Sequence, residues 1–320
     1  MKILISGGAG FVGSVLSYRL LDEKIDYAVI DNLCTSYKRN LPKKTLFYKG
    51  NINNQVLLKK ILNEFKPTHI VHLAASLDVS ESEFNKNKYF INNIKNSKTF
   101  LNFFIKNGVK NYIFASTAAV YNKNLSSKKI EDKNLKPSNY YGKTKLIIEK
   151  YLLSCKKKFE INVKILRFFN VIGADHKLRS GALSKKSKQL FNCICNSIET
   201  KKTFYIYGSN LKTKDGTCVR DYIDVIDLVK VIFFFIKNNK KNDYDIYNVG
   251  TNKGHSVLEI LDLFQKILNR NINFVFLKKR RGDPTHSVCS NSKLKKIFKL
   301  SFSPIKDSIK RHYSFYKKNL

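Results

Sequence analysis

Lys2-Ile3-Leu4-Ile5-Ser6-Gly7-Gly8-Ala9-Gly10-Phe11-Val12-Gly13 opens the chain and decides how the rest is read. The first five residues form a short continuous apolar run, the pattern of a parallel strand buried on both faces. Gly7, Gly10 and Gly13 then keep side chains out of the passage into the helical spacing of Val12 to Leu21. A strand that enters a helix through such a stretch lets the backbone approach a pyrophosphate, which the helix N-terminus attracts. A glycine-rich stretch alone is weak evidence, but Tyr27-Ala28-Val29-Ile30-Asp31 follows as a second strand ending in a carboxylate. Asp31 at that place would accept ribose hydroxyls and repel a 2′-phosphate, so NAD is expected rather than NADP.

Beyond this unit the alternation continues. Thr45 to Lys49 and His69-Ile70-Val71-His72-Leu73 read as the third and fourth strands, with the helical stretch Gln55 to Phe65 between them. A helix over Lys86 to Lys106 precedes the strand Asn111-Tyr112-Ile113-Phe114-Ala115, and a helix carrying Tyr141 leads into Ile161 to Leu166. The pattern predicts an α/β fold, a doubly wound parallel (Rossmann) sheet with right-handed crossovers. After Arg167 the rhythm breaks. Gly173 to Lys188 is polar and loop-like, Gln189 to Thr200 helical, and Phe204-Tyr205-Ile206-Tyr207 a short strand. Asp224 to Lys237 and the strand Asp245 to Val249 read as late returns to the sheet, before a helix at Ser256 to Leu268, a strand at Phe274 to Leu277 and a helical tail. The expected division is residues 1–168 plus 221–249 as the dinucleotide-binding domain, and 169–220 plus 250–320 as a smaller C-terminal α/β substrate-binding lobe.

Tyr141 and Lys145 lie four residues apart in Tyr140-Tyr141-Gly142-Lys143-Thr144-Lys145. On a helix such positions share a face, so the ammonium can lie beside the phenol and make its phenolate easier to form. A tyrosine with a pKa of about 10 is a poor base, whereas one held beside a lysine and a positively charged nicotinamide is a good one. The same pair also arises by chance on solvated helix faces. Its company gives it meaning: the glycine-rich start, Asp31, and a hydroxyl at Thr117 ahead of the tyrosine occur in the order required of a nicotinamide enzyme of the short-chain dehydrogenase type.

Composition narrows the partners. A chain of 320 residues can bury a full core with a second lobe attached. No apolar run approaches the roughly 20 residues of a membrane span, and Val231-Ile232-Phe233-Phe234-Phe235-Ile236 reads as a buried helix segment. Met1-Lys2 leads straight into the first strand without a leader, which reads as cytoplasmic. The six cysteines have neither a Cys-x-x-Cys pair nor a histidine at zinc-ligand spacing, so no metal is expected, and Cys193 and Cys195 read as small core residues. Lys and Arg number 60 against 24 Asp and Glu, a formal net charge of +36. These cations are spread through nearly every segment among abundant Asn and Ile, with no basic arm or recognition helix. They read as compositional drift on a solvated surface, predicting weak, salt-sensitive adhesion to polyanions and no specific nucleic-acid site.

Eight segments in order along nearly the whole chain carry a resemblance. They are Gly7 to Gly13, Asp31-Asn32-Leu33, His72-Leu73-Ala74-Ala75, Ser116-Thr117-Ala118-Ala119-Val120-Tyr121, Tyr141-Gly142-Lys143-Thr144-Lys145, Arg167-Phe168-Phe169-Asn170, Asp215-Gly216-Thr217-Cys218-Val219-Arg220-Asp221-Tyr222 and Arg280-Arg281-Gly282-Asp283. In them the chain resembles the UDP-glucose 4-epimerases (UDP-galactose 4-epimerases) of the extended short-chain dehydrogenase/reductase family. The first five segments are shared across many related reactions, and the later ones are specific to nucleotide-sugar epimerases. The resemblance implies NAD as cofactor, a UDP-sugar as substrate and a homodimer. It implies that Tyr141, Lys145 and Thr117 are catalytic. It places Gly7, Gly10, Phe11, Val12, Gly13, Asp31, Asn32, Asn51, Ile52, Leu73, Ala74, Ala75, Asn93, Tyr141, Lys145 and Phe169 around NAD. Thr117, Tyr141, Asn170, Arg220, Tyr222, Arg280, Asp283 and Ser287 fall at positions that hold the UDP-sugar. Arginine suits a diphosphate, since its planar fork stays charged and can bind two oxygens.

The implied reaction inverts C4 of a UDP-hexose through a transient 4-keto sugar. Departures from the family pattern carry their own expectations. Asn51 stands where an adenine-contacting Asp is usual, implying weakened but retained binding, and Asn122 replaces the glycine that usually follows Tyr121. Lys188-Gln189-Leu190-Phe191 replaces a more apolar, proline-ending segment that contacts uracil. Ser287, four positions after Asp283, falls where a tyrosine in the family borders the C2 substituent and excludes N-acetyl groups. Acceptance of UDP-N-acetylhexoses alongside plain ones is therefore expected. Two other readings stay open: a sugar-nucleotide 4,6-dehydratase, whose usual Asp-Glu after the threonine is here Ala118-Ala119, and a non-catalytic NAD-binding protein.

Overall fold

The computed structural model describes residues 1–122, 128–133, 135–183, 188–238, 243–280, 284–299 and 301–320. Its strands, in chain order, are β1 (Lys2–Ser6), β2 (Asp26–Asp31), β3 (Leu46–Lys49), β4 (His69–His72), β5 (Asn111–Thr117), β6 (Asn162–Phe168), β7 (Asn170–Ile172), β8 (Phe204–Tyr207), β9 (Val219–Asp224), β10 (Tyr244–Val249), β11 (Gly254–Ser256), β12 (Phe274–Leu277) and β13 (His286–Ser287). The α-helices are α1 (Phe11–Asp22), α2 (Gln55–Phe65), α3 (Val79–Phe84), α4 (Lys86–Tyr89), α5 (Ser97–Lys106), α6 (Tyr140–Phe159), α7 (Leu190–Thr200), α8 (Val225–Lys237), α9 (Val257–Leu268), α10 (Ser292–Ile297) and α11 (Ile305–Lys318).

Seven strands form one parallel sheet in the order β10-β6-β5-β4-β1-β2-β3. The apolar runs explain why it is covered on both sides. Ile3 and Ile5 of β1 face a cluster with α1 and α8, through Leu16, Leu20, Val229 and Ile232, whereas Leu4 faces the opposite cluster with α2, α5 and α6, through Ile61, Phe104 and Ile148. The chain winds outward from β1 through β2 to β3, then returns to the other side of β1 for β4, β5 and β6. The winding reverses between β1 and β4, and a crevice at the carboxyl ends of such strands is where open α/β sheets take their ligands.

The smaller lobe is built on β9, which pairs antiparallel with β11 and parallel with β7 and β13, beside the parallel pair β8 and β12. Its own apolar cluster joins Phe191 and Ile194 of α7, Ile260 and Phe264 of α9, and Ile309 of α11.

Three elements differ from the sequence reading. Strand β9 was hidden by its charges: Asp221 is fully buried and accepts backbone N–H bonds from Thr251 (2.8 Å), Asn252 (2.9 Å) and Cys289 (3.3 Å). The helix expected over 86–106 is interrupted by a π-helical segment at Phe90–Asn96. The stretch from Asp224 returns to the sheet as helix α8, its carboxylate capping the Ile226 N–H at 2.8 Å, and the strand itself is β10.

Candidate active site

The glycine-rich turn sits at the carboxyl end of β1. Gly7 has φ +72°, and a Cβ there would lie 2.7 Å from the Ala74 backbone. At Gly13 a Cβ would meet the Gly8 Cα at 2.6 Å, so the turn and α1 touch through bare backbone. Gly10 heads α1 without any side-chain cap, and a Cβ on it would approach only the Gly7 carbonyl, at 3.3 Å. The first N–H groups of α1, those of Phe11, Val12 and Gly13, are thus presented to an open approach, as binding a pyrophosphate requires.

Asp31 lies at the end of β2, 8% exposed. Its Oδ2 accepts from Ala9 N (3.0 Å) within the turn, and its Oδ1 accepts from Leu33 N (2.8 Å) and Ser36 Oγ (3.1 Å). The carboxylate therefore also braces the turn, a duty the sequence did not reveal. Beside it Asn32 Nδ2 donates to Asn51 Oδ1 at 2.6 Å, while Ile52 is buried below. On the other side of β1, Leu73, Ala74 and Ala75 follow β4 and remain half-buried. Asn93, 2% exposed in the π-helical segment, ties this loop down: it accepts from Ser76 N (2.8 Å) and donates to Ser76 O (3.0 Å) and Thr144 Oγ1 (3.2 Å). The π-turn thus rotates an amide into the space between β4 and α6.

Helix α6 begins at an Asn139 cap whose side chain accepts from Gly142 N at 2.8 Å. Gly142 allows close docking, since a Cβ would fall 2.2 Å from the Ala119 carbonyl oxygen. That approach brings the Tyr141 phenol beside the Thr117 side chain at the end of β5. Burial pushes the Tyr141 phenol up to about 12, with Thr117 pulling the other way. Lys145 is 3% exposed; its Nζ donates to the Ala115 carbonyl at 2.8 Å and lies 4.8 Å from the Phe114 ring centre. Burial lowers this ammonium to about 7, with Glu149 opposing the fall. The sequence reading had Lys145 easing ionisation of Tyr141. In the protein by itself desolvation prevails, and the phenol stays protonated at neutral pH until further positive charge arrives.

Next to Thr117 a cleft of about 220 Å³ opens toward the smaller lobe. Phe169, between β6 and β7, lines it with Asn170 of β7, Arg220 of β9 and Ser287 of β13. Asn170 pairs with Tyr222 in register, and Ser287 with Arg220, so the small sheet itself brings these positions together. Arg220 Nη1 donates to the Val219 carbonyl at 2.9 Å. Tyr222 is 5% exposed and packs on Phe191 at 5.4 Å between ring centres. Arg280 lies apart from the cleft lining, its guanidinium 3.7 Å from the Tyr207 ring centre. Asp283, with Arg281 and Gly282, lies outside the described residues. The cleft residues not assigned to the site from the sequence include Val79, Asn122, Lys129, Ser138 and Asn139. Asn122 had a signal, as a departure from the usual glycine, but Lys129 had none. It is 2% exposed, donates to the Asn122 carbonyl at 3.2 Å, and burial lowers it to about 8.

Residues 3–250 match the model of the NAD dependent epimerase/dehydratase family. A UDP-glucose 4-epimerase from Lactobacillus helveticus is 35% identical over 299 residues, 93% of this chain and 91% of that protein. The crystal structure of UDP-glucose 4-epimerase from Bifidobacterium longum, in complex with NAD+ and UDP, superposes with a TM-score of 0.94 at 27% identity, covering 100% of this chain and 98% of that one. The UDP-Glc/GlcNAc 4-epimerase from Campylobacter jejuni gives a TM-score of 0.83 at 30% identity, with 99% of each chain covered.

Proposed function

The chain belongs to the NAD dependent epimerase/dehydratase family, and we propose that it is a UDP-hexose 4-epimerase interconverting UDP-glucose and UDP-galactose, with the N-acetylated UDP-hexoses as further substrates. The observation that carries this reading is the juxtaposition of the cleft-lining Thr117 with Tyr141, one helix turn from the buried Lys145.

The capless N-terminus of α1 and the Asp31 carboxylate fit a dinucleotide. Gly10, Phe11, Val12 and Gly13 would hold its pyrophosphate, Asp31 and Asn32 its adenosine ribose, and Lys145 its nicotinamide ribose. A bound NAD would supply a reversible hydride acceptor for C4 and a positively charged ring beside Tyr141. Tyr141 takes the proton of the 4-hydroxyl and gives it back after the sugar has turned over. Thr117 hydrogen-bonds the 4-oxygen and holds the phenol in line. Arg220 and Arg280 meet the diphosphate, Asn170, Tyr222 and Asp283 help hold the nucleotide, and the hexose keeps the freedom to present either face.

Loss of water at C5 and C6, as in a 4,6-dehydratase, would need an acid and a base where Ala118 and Ala119 stand. The expected division of labour places NAD on residues 1–168 plus 221–249 and the UDP-sugar on 169–220 plus 250–320, with β9 contributing Arg220 and Tyr222 at the boundary. Exposed Phe84, Phe90, Ile91, Ile147 and Leu153 on and around α4 and α6 support a homodimer through that face. Cytoplasmic location fits the family. Among the described residues no helix is long and apolar enough to cross a membrane.

The test is incubation of purified protein with UDP-galactose and with UDP-N-acetylgalactosamine, product identification, and acid release of retained cofactor. Conversion to the gluco forms by protein carrying NAD is expected. Absence of any epimer from either substrate would reject the reading.

A further inference from the structure

The active-site face of α6 extends one turn past Lys145. Tyr141, Lys145 and Glu149 follow at four-residue intervals, and each engages one of three consecutive residues at the end of β5. Tyr141 lies beside the Thr117 side chain, Lys145 donates to the Ala115 carbonyl at 2.8 Å, and Glu149 accepts from the Ser116 hydroxyl. Glu149 is 2% exposed and is gripped by the fully buried Arg167, whose Nε (3.0 Å) and Nη2 (2.7 Å) reach its two oxygens. The remaining Nη1 donates to the Tyr121 phenol (2.9 Å) and the Glu131 carbonyl (2.6 Å). A buried ion pair adds little stability over apolar packing of the same volume, so stability alone does not account for one beneath this helix.

We infer that Glu149 is a positioning residue for the proposed C4 chemistry: clamped by Arg167 and Ser116, it locks α6 to β5 and favours the charged form of Lys145. The inference rests on the roles given to Tyr141 and Lys145 above. Lys145 is 3% exposed, so desolvation disfavours its ammonium form, which the Phe114 ring face and the Ala115 carbonyl only partly offset. His72 of β4 lies near it but is held neutral, pushed down to about 3 by burial and then by Lys145 itself. Tyr141 is protonated, and the Arg167 cation of β6 is matched by its contact with Glu149. Glu149 therefore supplies the negative charge that opposes desolvation at Lys145.

The experiment uses the holoenzyme with Glu149→Gln, Glu149→Asp and Ser116→Ala. Isotopic labelling of the lysines, with the Lys145 side-chain resonance followed by NMR across pH, reports the ionisation of that buried lysine independently of turnover. The pH profile of kcat with UDP-galactose is measured in parallel. In Glu149→Gln the Lys145 titration and the alkaline limb of kcat should both move toward acid by about one pH unit, a roughly tenfold change in charged fraction above the midpoint, with KM within about twofold. Glu149→Asp should restore most of the titration. If Glu149→Gln does not fold, Ser116→Ala decides, with an expected several-fold fall in kcat and a smaller shift of the same sign. Lys145 titrating as in the wild type in a folded Glu149→Gln, or in Ser116→Ala where that variant decides, would overturn the inference. A wild type without epimerase activity would reject the proposed function but leave the NMR titration to judge Glu149.

Discussion

The Thr117 side chain and the Tyr141 phenol meet across the junction of β5 and α6, where Thr117 lines the cleft. A phenol held in that way changes chemistry without changing shape when its oxygen is removed. Tyr141→Phe should lower kcat roughly 10²-fold or more while leaving KM, UDP binding and the melting temperature close to wild type. Steady-state kinetics beside UDP titration calorimetry checks this. Near-normal turnover in the variant would remove Tyr141 from the reaction.

Asp31 does two things at once, which makes its substitution informative. Its carboxylate faces the expected ribose position and would repel a 2′-phosphate, while its Oδ2 also holds the Ala9 N–H of the turn at 3.0 Å. Asp31→Ala should therefore narrow the preference for NAD over NADP and weaken retention of both, with a lower melting temperature. Asp31→Asn keeps an acceptor for Ala9 and should narrow the preference with a smaller loss of stability. Cofactor titrations on stripped protein measure both effects, and equal wild-type affinity for NADP would refute the role of the carboxylate.

His72 gives the protein an acid-sensitive point. Its ring is 1% exposed, bonded to the Ser6 hydroxyl (2.5 Å) and the Ser97 hydroxyl (3.0 Å), and burial pushes it from 6.5 to about 3. The unfolded chain takes up this proton first, so the contribution of the neutral ring is present above pH 6.5 and is lost as the pH falls toward about 3. His312, lowered to about 4 by burial, acts in the same direction. His72→Gln should melt somewhat lower at pH 7 but lose less stability between pH 7 and pH 4 than the wild type does. Parallel melting curves for the two proteins would expose the error if they ran at constant separation.

How much could be read from the sequence follows from the range of the interactions. The turn from Gly7 to Gly13 is local: strand, glycines and helix lie within thirteen residues, and at Gly7 and Gly13 a Cβ would collide with backbone. Tyr141 and Lys145 are likewise neighbours on one helix. The cleft is different, since Val79, Lys129, Ser138 and Ser287 reach it from distant segments, and only the packing of α3, α6 and β13 brings them to one wall. Strand β9 escaped because its burial of Asp221 is matched by backbone donors more than twenty residues away. Helix period likewise could not reveal the π-turn that aims Asn93 at Ser76, for the surrounding residues keep their polar and apolar character.

Ser287 lines the cleft at 6% exposure, paired in β13 with Arg220 of β9. Its side chain is the shortest that can offer a hydroxyl, and a tyrosine in its place would push a ring into a space of only about 220 Å³. If this wall borders the C2 substituent of the hexose, the wild type should turn over UDP-N-acetylgalactosamine as well as UDP-galactose. Ser287→Tyr should then cut kcat/KM for the N-acetylated substrate by roughly tenfold or more, since a steric clash is costlier than a missing contact, while changing the plain hexose by less than about threefold. Comparing the two substrates on both proteins isolates the gate from general damage to the cleft, because damage lowers both ratios together. No N-acetyl activity in the wild type, or none lost in the variant, would assign the C2 boundary to another residue.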